Sequence, residues 1–158
     1  MLTDDLRKLL IQQISSELTA HQQYMAIAIW FDQQGLERWA RLFRSQSTEE
    51  AEHASKIMDF LVDNEVEFDL PALKSMATRF GSAAAAVTVA LEAERRVAAQ
   101  FDRIAATALE KGDHRAHQFA QWFIEEQVEE EAKVQRLLDL VSSGINLFQA
   151  EALLDAYE

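Results

Sequence analysis

The side chains best suited to chemistry in this sequence are acids that fall at helical spacing beside a histidine and a glutamine. Glu50 and His53 stand three apart in Glu50-Ala51-Glu52-His53, and Gln127 and Glu130 three apart in Gln127-Val128-Glu129-Glu130. On a helix the members of each pair share a face. Glu17 and Glu94 lack such a partner, but each interrupts an apolar stripe near its middle, as Glu50 and Glu130 also do. An isolated buried carboxylate costs several kcal/mol or takes up a proton. Carboxylates gathered together repel one another unless positive charge lies among them, and no Lys or Arg occupies the central turns of these stripes. Two trivalent cations and a bridging oxide would balance the charge of four carboxylates. Glu17, Glu50, Glu94, Gln127 and Glu130 offer oxygen and His53 offers nitrogen, a sulfur-free set that suits iron or manganese, with zinc as a competitor. Taken singly, each acid reads as a boundary residue whose carboxylate reaches water, and His53 as a hydrogen-bonded core histidine. It is their coincidence at one level that points to metal.

Long helices must position these residues. The apolar stripes repeat at three- and four-residue steps. They read Leu6, Leu10, Ile14, Glu17, Tyr24, Ala28, Phe31; Trp39, Phe43, Gln46, Glu50, His53, Ile57, Phe60; Val87, Leu91, Glu94, Val97, Phe101, Ile104; and Phe119, Phe123, Gln127, Glu130, Val134, Leu137, Val141. The glycines and capping residues predict helices over about 4–34, 37–64, 82–111 and 114–143, and a short fifth helix over about 147–157 capped by Asn146. The whole chain, 1–158, reads as one all-α domain. Helices of nearly 30 residues reach about 45 Å. Short links join the first and second helices and the third and fourth as antiparallel pairs. The second link, Glu65 to Phe80 with Pro71, is about 16 residues, long enough to run the length of the bundle. Val66, Phe68, Leu70, Leu73 and Met76 are expected to hold it against the helices.

Composition narrows the possibilities further. The chain has 158 residues, 49% of them hydrophobic, so it is neither disordered nor too small to bury a core. It has one proline, four glycines and no cysteine, which favours helices and excludes disulfides and thiolate metal sites. The formal net charge of −12 argues against binding nucleic acid. Met-Leu-Thr-Asp-Asp lacks the basic and apolar regions expected of a signal peptide, and the most apolar stretch, Ala83 to Leu91, is too short to span a bilayer. A cytoplasmic protein without membrane contact is expected.

Ferritin-like di-iron bundles use a Glu from each of two helices and a Glu-x-x-His from each of the others. Here Glu17, Glu94 and Glu50-Ala51-Glu52-His53 follow that pattern, and Gln127-Val128-Glu129-Glu130 departs from it. With that departure, the sequence resembles the non-haem bacterial ferritins over essentially its whole length. Glu49-Glu50-Ala51-Glu52-His53 and Gln121-Trp122-Phe123-Ile124-Glu125-Glu126-Gln127 are the most specific segments. The resemblance implies a ferritin-like four-helix bundle with one long crossover between the second and third helices and a short C-terminal helix. It implies a ferroxidase centre in which Glu17, Glu50 and His53 hold the first iron, and Glu50, Glu94, Gln127 and Glu130 surround the second. It gives Tyr24 a role bonding a ligand carboxylate and supplying an electron during oxygen reduction; a core aromatic whose hydroxyl needs a partner is the plainer reading. Glu49, Glu126 and Glu129, with Glu130, would form a third iron site toward the inner surface, although by themselves they read as solvated acids. Haem is not implied, because haem-binding relatives have Met where this chain has Ala51 and His where it has Glu130.

The implied activity is oxidation of Fe(II) by O2 or H2O2, with storage of ferric mineral inside a shell of twenty-four copies. Leu147, Phe148, Leu153 and Leu154 form an apolar face on the last helix that could dock against other copies or against its own chain. His117 and Ala120 stand where animal ferritins place the acids of an iron channel, so the resemblance supplies no such channel here. Two other functions remain open on sequence alone. One is a ferritin-like oxidoreductase acting on a peroxide or an organic substrate; the other is a metal-free structural subunit.

Overall fold

The fold is described from a computed structural model covering residues 2–158. Four long helices, α1 (Asp4–Gln33), α2 (Glu37–Asp63), α3 (Ala83–Glu110) and α4 (His114–Ser142), carry the chain. One α-turn, α5 (Leu147–Ala150), continues as a 3₁₀ helix over Glu151–Tyr157. α1 packs along α2 and α3 along α4, and α1 against α3 joins the two pairs. No strand occurs among the described residues.

The helix ends follow from local chemistry. Thr3, Ser82 and Asp113 each accept a hydrogen bond from a backbone N–H of the first turn they precede, at 3.4, 3.1 and 2.9 Å. α1, α2 and α3 end alike: the residue two past the cap donates back to the third-last helical carbonyl, as Leu36 to Phe31, Val66 to Leu61 and Asp113 to Ala108. That motif needs a left-handed residue. Gly35 (φ +77°) and Gly112 (φ +68°) supply it for α1 and α3, whereas α2 uses Glu65 (φ 57°). α2 has no side-chain cap of its own. Glu151, from the C-terminal segment, accepts from the Arg38 backbone N–H at 3.0 Å and caps α2 from a distance.

Two expectations about the connections need correction. Leu70 and Leu73 do not hold the crossover down, being 65% and 46% exposed. Val66 is buried, Phe68 and Met76 are half-buried and Phe80 packs against the core, and polar contacts add to this anchoring. Ser15 Oγ donates to the Ala72 carbonyl (2.6 Å), Thr19 Oγ1 accepts from Lys74 N (2.9 Å), and Gln23 both donates to the Ala77 carbonyl (2.7 Å) and accepts from Ala77 N (3.0 Å). The second correction concerns the last segment, which is α-helical for four residues only. Trp39 Nε1 donates at 3.0 Å to the Leu147 carbonyl, the acceptor an α-helix would offer to residue 151, and the chain tightens from there. Ala150 and Leu154 are buried against the chain's own α1–α2 end, while Phe148 and Leu153 stay exposed.

The interior has two apolar cores. One, around Phe31, Trp39, Phe43, Val87 and Leu137, fills the end where α1 meets α2. The other, around Leu6, Ile57, Phe101, Ile104 and Phe123, fills the opposite end. The polar residues of the four stripes lie between them.

Candidate metal centre

Glu17, Glu50, Glu94, Gln127, Glu130 and His53 are all buried, none more than 6% exposed. Each faces inward for the same reason as its apolar stripe neighbours: the helix period leaves it no other direction. Glu17, Glu50 and His53 each present a ligand atom within 4.8 Å of the others, and so do Glu50, Glu94 and Glu130. Glu50 belongs to both triads. His53 Nδ1 lies 3.2 Å from Glu50 and 3.9 Å from Glu17.

A shell of hydrogen bonds orients the acids. The Tyr24 hydroxyl donates to Glu94 Oε1 at 2.6 Å, and Gln127 Nε2 donates to Glu94 Oε2 at 2.9 Å and to the Glu94 carbonyl at 3.1 Å. Gln127 thus reaches the centre through Glu94. Gln13 donates to Glu17 Oε1 at 3.1 Å, and Gln46 donates to Glu130 and to Glu50. Glu17 Oε2 is buried without a hydrogen-bond partner.

Burial dominates the electrostatics, and repulsion within the cluster adds to it. Glu17 and Glu50 are pushed up to about 7, and Glu94 and Glu130 to about 8. Burial also drives the Tyr24 hydroxyl well above its usual value, aided by the charge of Glu94. For His53 burial favours the neutral ring, but the bond to Glu50 and the charges of Glu50, Glu130 and Glu126 outweigh it, and its pKa is raised. A set of buried acids that must either hold protons or repel, one oxygen of which has no donor, is one that cations could complete.

Glu49 and Glu126 are half-buried and Glu129 exposed; they stand outside both triads and line a cavity of about 830 Å³ with His53, Trp122 and Glu130. The nearest approach to the centre is Glu126, 4.0 Å from His53 Nε2. Trp122 meets His53 edge-on, ring centroids 5.8 Å apart, and Lys56 Nζ sits 3.3 Å above the Trp122 ring.

The sequence reading passed over three contributors. Gln13 and Gln46 stand four residues before Glu17 and Glu50, on the same helix faces, a spacing that marks them as partners of those acids. The third is a lysine that lies off the four stripes and reaches the centre through an amide. Lys133, one turn after Glu130, donates from Nζ to Gln46 Oε1 at 3.2 Å.

The ferritin-like domain family matches residues 7–143. The chain is 41% identical over 144 residues to ferritin BfrB of Mycolicibacterium smegmatis, covering 90% of this chain and 80% of that one. It is 30% identical over 142 residues to a bacterial non-heme ferritin of Staphylococcus epidermidis, covering 90% and 86%. An open-pore ferritin from Archaeoglobus fulgidus superposes with a TM-score of 0.92 at 27% identity over 98% of both chains. A four-helix bundle with a long crossover and a buried Glu/His centre is the architecture of that family, and this chain belongs to it.

Proposed function

We propose that this chain stores iron, oxidising Fe(II) at its buried carboxylate centre and passing the ferric product to the interior of a multi-subunit shell. The observation that carries this is Glu50, the carboxylate common to two buried triads whose ligand atoms lie within 4.8 Å. One acid placed to bridge brings two Fe(II) substrates together, so that each gives one electron and O2 leaves as H2O2 with two protons. Glu17, Glu50 and His53 take the first Fe(II); Glu50, Glu94 and Glu130 take the second, with Gln127 orienting Glu94 or ligating. The acids supply the charge that makes Fe(III) stable there. Tyr24, whose hydroxyl donates to Glu94, holds that carboxylate in position. Glu49, Glu126 and Glu129, with Glu130, form a third station on the way to the interior.

A shell of twenty-four copies in the cytoplasm is the proposed setting. In support, Met25 and Ile29 on α1 and Leu70 and Leu73 on the crossover are exposed apolar side chains available for contact between copies. Among the described residues no helix is long and apolar enough to cross a membrane.

Anaerobic addition of Fe(II), followed by oxygen, tests the reading. Rapid oxidation of about two irons per chain, then continued uptake of many more, is expected. Stoichiometric oxidation without further uptake would favour an oxidoreductase using a peroxide or organic substrate. No iron binding would leave only a structural subunit.

A further inference from the structure

We propose that the positive charge of Lys133 weakens binding at one of the two cation positions, the one at Glu50, Glu94 and Glu130. This rests on the two-cation reading of the centre. Lys133 projects from α4 one turn beyond Glu130, half-buried, at the mouth of the cavity that Glu49, Glu129 and Glu130 also line. Its Nζ donates at 3.2 Å to the buried Gln46 amide oxygen. That contact turns the other end of the amide inward, where Gln46 Nε2 donates to Glu130 and, at 3.4 Å, to Glu50. An ammonium, an amide and two carboxylates therefore form one line from the cavity to the centre.

A lysine at helix spacing from a glutamate is commonly a solvated surface residue. One observation sets this one apart: its partner is a buried amide whose other end is bonded to Glu130. The asymmetry follows from position. Glu17 and His53 lie off this line, since neither is bonded to Lys133 or Gln46. The ammonium thus adds positive charge on the Glu130 side of the centre, through Gln46, and repels a cation arriving there more than one held by Glu17 and His53. A weakly held second cation is one that can move on.

Calorimetric titration of the metal-free, full-length assembly with Zn(II), a redox-silent probe, tests this. Wild type is expected to show two binding constants for the buried centre, read in a Glu49→Gln/Glu126→Gln/Glu129→Gln background that removes the outer station. Lys133→Met and Lys133→Gln should strengthen the weaker constant about tenfold and leave the tighter one unchanged. Lys133→Arg should restore the wild-type ratio. Glutamine can still donate to Gln46 but carries no charge, so a wild-type ratio in Lys133→Gln would overturn the role of charge. So would a weaker constant that is unchanged or reduced in Lys133→Met, whatever happens to its melting temperature. If wild type takes up fewer than two Zn(II), the two-cation reading itself fails.

Discussion

At the scale of single residues, the centre makes the metal-free protein sensitive to pH. In the unfolded chain a glutamate titrates near about 4.3. In the folded chain Glu17 and Glu50 titrate at about 7 and Glu94 and Glu130 at about 8, as a coupled set. Between those limits the folded state holds protons that the unfolded state has released, so stability falls as pH rises. The contribution is complete below the unfolded value and gone above the folded ones. Melting temperatures in chelator should therefore decline from about pH 5 to about pH 8, and saturating Zn(II) should flatten or reverse the decline. Parallel curves with and without Zn(II) would contradict this. Glu94→Ala tests the second position directly: Fe(II) oxidation should slow by at least about tenfold, measured by stopped-flow absorbance. The acids and His53 were legible in the sequence because each breaks an apolar stripe, a local signal. Lys133 was not, because whether a long flexible side chain turns toward water or toward a buried amide depends on the neighbouring helix.

At the scale of elements, helix ends and the crossover carry the testable chemistry. Glu65 occupies the left-handed position that glycine fills at the ends of α1 and α3. Glu65→Gly should stabilise the protein by about 0.5–1 kcal/mol, the steric relief exceeding glycine's entropic cost, as read by denaturant unfolding. Gln23 satisfies both backbone groups of Ala77, so Gln23→Ala should cost about 1–2 kcal/mol. Amide exchange in that variant should quicken within the crossover first. The four long helices were readable because their period extends over many turns. The crossover's fastening was legible only in part: Val66 and Phe68 pack as their types suggest, but Ser15, Thr19 and Gln23 on α1 also bind its backbone. Polar residues on a helix surface do not announce which strand of chain they will meet. The last segment shows the same limit, since its tightening depends on Trp39 and Arg38, more than a hundred residues earlier in the chain.

At the scale of the whole molecule, the apolar interior is not continuous. The core around Phe31, Trp39 and Val87 shares no buried side chain with the one around Leu6, Phe101 and Phe123. What joins them is the layer of Glu17, Glu50, Glu94, Gln127 and Glu130, which attracts only when cations or protons are present. The two ends of the bundle are then cooperative partners by courtesy of their cargo. Stripped of metal near pH 8, they should open at separate free energies in native-state hydrogen exchange; loaded with Zn(II), they should open together. Such a protein would register its own emptiness as a loosening at the waist, and a vacant subunit should yield to proteases sooner than a filled one.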